Sequence, residues 1–342
     1  MHLDTTVTFL EQDGKITLAS DRYQYTFGYY SRNPWAGDDV CVMARAEDFE
    51  NREEKPQLVA VDYSARTVTE LDITPGGWSD FVLHGEMIYW IDDGALCSRN
   101  IWGGDFSKIA EMPGMNFPHM TADGNFLNWE ADRDGKYCGF VCDVRTGEVT
   151  ELVAIRFAQP FPVANHMMIC PTNPDILFFA HEGTTEYISN RLWLAEKGRA
   201  PRSIARQHLD HNGNLGDCYG HEMWAPDGKG LWFVKYSVSP QPPCGISYVD
   251  IATGKTTLYY SKYRYWHVSA SPDGRYLGAD TQENPCGVCV IDLATGEERR
   301  IADAPITWKH PCHPHPCFSP TSKYVAYHHL YEGKTTVSVA AL

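Results

Sequence analysis

A chain of 342 residues with 43% hydrophobic and 21% charged residues has the balance of a soluble globular protein. Its formal net charge of −15 excludes a nucleic-acid binder, which needs an excess of Lys and Arg, but leaves room for a small acidic substrate held by a local positive cluster. An aromatic content of 13%, with 28 glycines and 21 prolines, favours short strands and tight turns over long helices.

The N-terminal MHLDTTVTFLEQDGK has no basic segment followed by an apolar core, so no secretory signal is expected. No run of about 18 apolar residues occurs, so no membrane partner is expected either. Eleven cysteines, odd in number and scattered singly, predict reduced thiols and a cytoplasmic location.

Two turn signatures recur in chain order. The first is a Pro/Asp/Gly turn entering an apolar or aromatic strand: TADGNFLNW (121–129), APDGKGLWF (225–233), SPDGRYLGA (271–279) and SPTSKYVAY (319–327). The second is a strand, a Thr-Gly turn and another strand: CDVRTGEVTEL (142–152), VDIATGKTTL (249–258) and IDLATGEERRI (291–301), with VDYSARTVTEL (61–71) as a looser copy. Together they define a four-stranded unit about 40 residues long, the period of a β-propeller blade. Blades are predicted near 25–71, 77–112, 117–153, 160–206, 219–260 and 265–302, with a last one from 310. That last blade runs out of sequence, and VTFLEQDGKITLA (7–19) is expected to supply its outer strand. The expectation is an all-β, seven-bladed β-propeller, a single domain over 1–342, its ring closed by an N-terminal strand joining the last blade. No WD dipeptide pattern appears.

Aligning the blades on Pro171, Pro226, Pro272 and Pro320 places a histidine five residues before each: His166, His221, His267 and His315. Equal registers on innermost strands lie at equal heights around a propeller channel, so four imidazoles are expected to converge. A lone histidine is usually structural, but four at one register point to a functional site. His119 lies two positions past this register and is set aside.

The stretch KHPCHPHPC (309–317) adds His310 and His313. His313 and His315 are two apart and would share a face of a strand. Pro314 and Pro316 suit an edge-like inner strand, because each lacks a backbone donor. His267, His310, His313 and His315 thus offer up to four imidazole nitrogens, a set suited to Mn, Fe, Co, Ni or Zn rather than Ca or Mg. Cys312 and Cys317 are the alternative, zinc-type ligands.

At these residues the sequence resembles the oligogalacturonate lyases, propeller-fold polysaccharide lyases acting on short pectin fragments. The matching pieces are NPDILFFAHEG (173–183), NRLWL (190–194), GHEMWAPDG (220–228), HVSASPDG (267–274) and HPHPCFSP (313–320). The resemblance implies manganese as the ion, held by His267, His310, His313 and His315. It implies His221 as the catalytic base and Arg191 as the arginine assisting it and contacting substrate. His310 stands where the family usually has glutamine, and Thr184 follows HEG where proline is expected. His166 has no family role; it is expected to contact sugar hydroxyls or to be a structural histidine. His181 and Glu182 are expected on the scaffold or pocket wall.

The chemistry implied is β-elimination on a uronate. The C5 proton is too weakly acidic for an imidazole unless a cation neutralises the adjacent carboxylate, after which a histidine base suffices. The partner is then a small acidic oligosaccharide. Rival expectations are a non-catalytic propeller that binds or assembles, and a lyase or hydrolase for another uronate-containing sugar using the same metal site. No G-x-S-x-G elbow and no phosphate-binding Gly-rich loop occurs.

Overall fold

Both recurring turns close on themselves through short-range hydrogen bonds, which is why the sequence repeats them. The hydroxyls of Thr121, Ser271 and Ser319 accept the backbone N–H of Phe126, Tyr276 and Tyr324 at 3.1, 2.8 and 3.1 Å. In the first two turns the same hydroxyl donates to the aspartate two residues on, Asp123 or Asp273, at 2.6 Å. The Thr-Gly turns work through an aspartate instead: Asp143, Asp250 and Asp292 accept the N–H of Arg145, Ala252 and Ala294 at 2.9, 3.1 and 2.8 Å. Gly147, Gly254 and Gly296 follow at φ 74°, 70° and 73°, a conformation that glycine takes without a Cβ clash. The looser copy keeps the aspartate, with Asp62 accepting from Ser64 and Ala65. It places Arg66 at the glycine position, at φ 56°.

The computed structural model describes residues 2–342 except positions 5, 31, 52, 113–115, 185–186 and 209–215, and the side chains of 116–117. Among the described residues the strands form seven sheets. Six have four strands each, spanning 24–70, 81–111, 116–155, 163–203, 219–260 and 265–304. The seventh has five: Cys317–Phe318, Tyr324–Tyr331 and Lys334–Ala341, followed by Lys15–Ser20 and Val7–Gln12. This is a seven-bladed β-propeller with blades close to the expected limits. Closure uses a whole N-terminal hairpin rather than one strand. Ile16 pairs with Val339 and Thr17 with Ser338, and the Thr17 and Ser338 hydroxyls are 2.6 Å apart.

The chain divides into two compact units, residues 1–112 with 269–342, and residues 113–268. In the first, Leu18, Trp35, Met43, Val59, Tyr63 and Val339 pack into one buried cluster. A second cluster there joins Val42, Leu58, Phe81, Ile88 and Trp90. In the second unit, Phe178, Leu194, Trp224, Leu231 and Phe233 form one cluster, and Met167, Ile169, Leu177 and Phe179 another. The pleat sends successive side chains of a strand to opposite faces, so a single strand such as Asn173–Glu182 feeds two clusters. Each fully buried Leu or Phe contributes about 1.5–3 kcal/mol relative to exposure.

Candidate functional site

The shared register of the histidines has a backbone counterpart. His166, on the strand Val163–Cys170, and His221, on Tyr219–Trp224, lie at φ 55° and 52°. Each sits in a bulge, where four residues of the first strand run against three of its neighbour: Asn165–Met168 against Ala180–Phe178, and Gly220–Met223 against Val234–Trp232. His315 is left-handed as well, at φ 46°. Such a bulge re-aims the side chain of the extra residue. His267 differs: it lies in the strand Tyr265–Ala270 and is not among the left-handed residues.

One expectation is corrected here. His313 and His315 do not share a strand face, because the strand of this blade is only Cys317–Phe318. Pro314 and Pro316 cannot donate to a ladder, so residues 309–316 run as an irregular segment. The segment is anchored by other means. The N–H of His328 donates to the Pro314 carbonyl at 2.9 Å. The His315 N–H donates to Asp280 Oδ2 at 3.1 Å, and Ser269 Oγ donates to the Pro316 carbonyl at 2.5 Å.

Within the first unit, three histidines come together. The rings of His310 and His313 have centroids 4.1 Å apart, and those of His313 and His315 5.6 Å. Tyr29 lies edge-on to His310 at 4.9 Å and to His315 at 5.4 Å, and Trp78 stacks on His310 at 6.3 Å. Burial, with His310 beside it, lowers the His313 pKa to about 4, so its ring is neutral at pH 7 and has a lone pair to give. His328, fully buried, backs this cluster. Its Nε2 accepts the Phe27 N–H at 3.1 Å, so Nδ1 carries the proton and donates to the His313 carbonyl at 3.0 Å. Cys312 is buried, and Cys317 donates its thiol to the Arg32 carbonyl at 3.2 Å. Burial raises the Cys317 pKa to about 12, which keeps it a thiol rather than a thiolate ligand.

Within the second unit, His221 and His267 have ring centroids 3.9 Å apart. Nδ1 of His221 lies 2.8 Å from the Trp266 carbonyl. A carbonyl only accepts, so Nδ1 carries the proton and Nε2 is the basic nitrogen. The Tyr236 hydroxyl is bonded to the same Nδ1. Burial pushes the His221 pKa well below the ordinary imidazole range, and His267 beside it adds to the effect.

Arg191 is buried in this unit, and its N–H donates to Gln207 Oε1 at 2.9 Å. Its guanidinium is engaged by two carboxylates: Nε donates to Glu222 Oε1 at 2.5 Å and Nη1 to Glu182 Oε2 at 3.0 Å. Burial alone would raise the Glu222 pKa, but the Arg191 guanidinium overrides this and holds it well below the usual carboxylate range. His166 Nδ1 is 4.0 Å from Glu222 Oε2. His181 donates from Nε2 to the Phe161 carbonyl at 2.8 Å and stacks on Phe157 at 3.7 Å. Glu182 is more than wall, since it holds Arg191.

Sequence reasoning missed Glu222, Tyr236, Asp280, His328 and the Trp266 carbonyl. Glu222 and Asp280 had a signal, an acid inside an otherwise apolar strand. The Trp266 contact had none, because a backbone carbonyl carries no residue identity.

A family model described as oligogalacturonate lyase matches residues 134–342, which include His166, Arg191, His221, His267, His310, His313 and His315. The chain belongs to the oligogalacturonate lyase family. An oligogalacturonide lyase of Pectobacterium atrosepticum and an oligogalacturonate lyase of Dickeya dadantii are each 24% identical to it over 226 residues, 58% of this chain and 53% of theirs. The chain therefore matches about half the length of these curated relatives. Among solved structures, an oligogalacturonate lyase in complex with manganese is similar with a TM-score of 0.80 at 19% identity, covering 100% of this chain and 97% of that one. An oligogalacturonate lyase from Vibrio parahaemolyticus gives a TM-score of 0.79 at 16% identity, with the same coverage. At these identities the likeness establishes the shared fold.

Proposed function

We propose that this chain is a metal-dependent lyase that cleaves short oligogalacturonides by β-elimination. The observation that carries the proposal is the His221 ring, held against His267 with its proton on Nδ1, which makes Nε2 the basic nitrogen. Family membership supplies the reaction class, and the whole of 1–342 is taken as one propeller domain.

His267, His310, His313 and His315 are proposed as the ligand set. Of these, His313 has its ring centroid 4.1 Å from that of His310 and 5.6 Å from that of His315, and burial keeps it neutral at pH 7. The donor set fits the group implied: neutral imidazole nitrogens suit a borderline divalent ion such as manganese. Asp280 Oδ2 accepts the His315 N–H and so anchors the segment that carries His313 and His315. When bound, manganese supplies a Lewis acid that neutralises the uronate carboxylate.

His221 then takes the C5 proton on Nε2. The electron pair of that bond becomes the C4–C5 double bond, and the glycosidic oxygen leaves C4 with the pair of the broken C–O bond. Arg191, always protonated, orients the acidic sugar beside the base. Its charge is shared with Glu222 and Glu182, so it acts as a fixed donor more than as a net positive patch. His166, next to Glu222, is proposed to face the sugar hydroxyls. Among the described residues no cysteine is in a disulfide, which favours a cytoplasmic enzyme finishing short fragments. Among the described residues no helix is long and apolar enough to cross a membrane.

The test is ultraviolet absorbance of the unsaturated uronate product, with di- or trigalacturonate and added manganese. A rise abolished by EDTA and by His221→Ala is expected. No rise with any uronate oligomer, in protein that binds manganese, would overturn the assignment.

A further inference from the structure

We infer that Glu222 is a positioning residue of the site, locking the plane of Arg191. The inference deepens the functional proposal above and rests on its assignment of Arg191 and His221.

Glu222 is fully buried on a strand whose neighbours, Tyr219, Met223 and Trp224, are aromatic or apolar. A carboxylate at such a place is costly to desolvate, and an apolar side chain of similar size would fill the space. What Glu222 adds is direction. Its Oε1 receives Arg191 Nε at 2.5 Å, and Glu182 receives Nη1 at 3.0 Å. Two contacts at different nitrogens fix both the position and the plane of a guanidinium, which one contact cannot do. Oε2 faces His166 Nδ1 at 4.0 Å. A single carboxylate thus fixes an arginine of the blade preceding it in sequence and lies near a histidine of that same blade.

The bulge explains the coupling to the base. Gly220–Met223 carries one extra residue relative to its partner strand, and His221 in it is left-handed. His221 and Glu222 are consecutive within this bulge, so the turn of backbone that aims the base also aims the carboxylate. Glu182, with its side chain 29% exposed, completes the arginine's contacts without being locked in itself.

The test combines kinetics with a direct view of Arg191. Glu222→Gln keeps the shape and one acceptor but removes the charge. With manganese and digalacturonate, kcat is expected to fall about a hundredfold while KM moves little, because a misplaced positioning group costs mainly in the transition state. Manganese affinity, read separately by titration calorimetry, is expected to stay at the wild-type value. In the Arg191→Lys background the same substitution is expected to add little further loss, since its effect runs through the arginine. Wild-type kcat in Glu222→Gln, or a full additional loss in the Arg191→Lys background, would overturn the inference.

A second measurement needs no turnover. The Arg191 Nε–H resonance of wild-type protein, assigned by its loss in Arg191→Lys, is expected to exchange far more slowly than that of exposed Arg199. In Glu222→Gln it is expected to speed up. Exchange in wild type as fast as Arg199 overturns the lock even if Glu222→Gln fails to fold. If the wild type acts on no uronate, the functional proposal falls, and this exchange measurement still decides the role of Glu222.

Discussion

The backbone N–H of His315 donates to Asp280 Oδ2 across 3.1 Å, so a fully buried carboxylate holds a left-handed histidine 35 residues away in sequence. Asp280→Ala leaves that N–H without its acceptor, at a cost of about 1–3 kcal/mol in a denaturant titration. Asp280→Asn retains an acceptor and is expected to cost less. If Asp280 tunes the ligand segment, manganese affinity in Asp280→Ala drops about 10–100-fold. Equal affinities in the two variants would show that the segment holds itself.

His221→Ala is expected to lower kcat by about 10²–10⁴-fold, the range for a positioned general base. Manganese titration of the same variant should match wild type, because His221 lies outside the proposed ligand set. Joint loss of both would reassign His221 to the metal.

Metal binding is expected to stabilise the fold by mass action. Free manganese at 100 times its dissociation constant raises the unfolding free energy by about 2.7 kcal/mol, and EDTA reverses this. His313→Ala should keep its thermal midpoint unchanged on manganese addition. A midpoint that still rises in that variant would place the ion elsewhere.

His329 carries a pH dependence independent of the site. Burial holds its pKa below the ordinary value, with Nδ1 donating to the Leu330 carbonyl at 3.0 Å and Nε2 2.7 Å from Ser338 Oγ. The unfolded chain, with a pKa of about 6.5, takes up the proton more readily than the folded one. Stability is therefore unaffected above that value and declines as pH falls below it, until the folded pKa is passed. His329→Gln should show a shallower loss of urea midpoint between pH 7 and pH 5. Parallel losses in variant and wild type would remove His329 as a cause.

Leu18, fully buried against Val339 and Val337 in the last blade, tests the closure. Leu18→Ala is expected to cost about 2–5 kcal/mol, as for a core cavity. A much smaller loss would mean that the N-terminal hairpin contributes little to holding the blade.

The blades were legible because their signals are local. Thr121 to Phe126, Ser271 to Tyr276 and Asp292 to Ala294 all close within a few residues, so the residue types needed for each turn stand side by side in the chain. The histidine register was legible for the same reason: it is a fixed distance from a turn proline. His166, His221 and His315 share even an unusual backbone conformation, which His267 at the same register does not adopt.

The expectation that His313 and His315 share a strand face failed because their two-residue spacing was taken as a pleat, whereas Pro314 and Pro316 deny it the ladder. Arg191 was expected to offer its charge to substrate, yet two carboxylates occupy it, and neither pairing is written in local spacing.

Fold class, blade limits and the shared register of the histidines follow from the order of amino acids, since turns and strand periodicity are decided over a handful of positions. The tautomer of His221, the double hold on Arg191 and the anchoring of His315 depend on contacts spanning 45, 31 and 35 residues. Their hydrogen bonds are directional over a few ångströms, and which groups come within that reach is set by bulges and packing that no local pattern encodes.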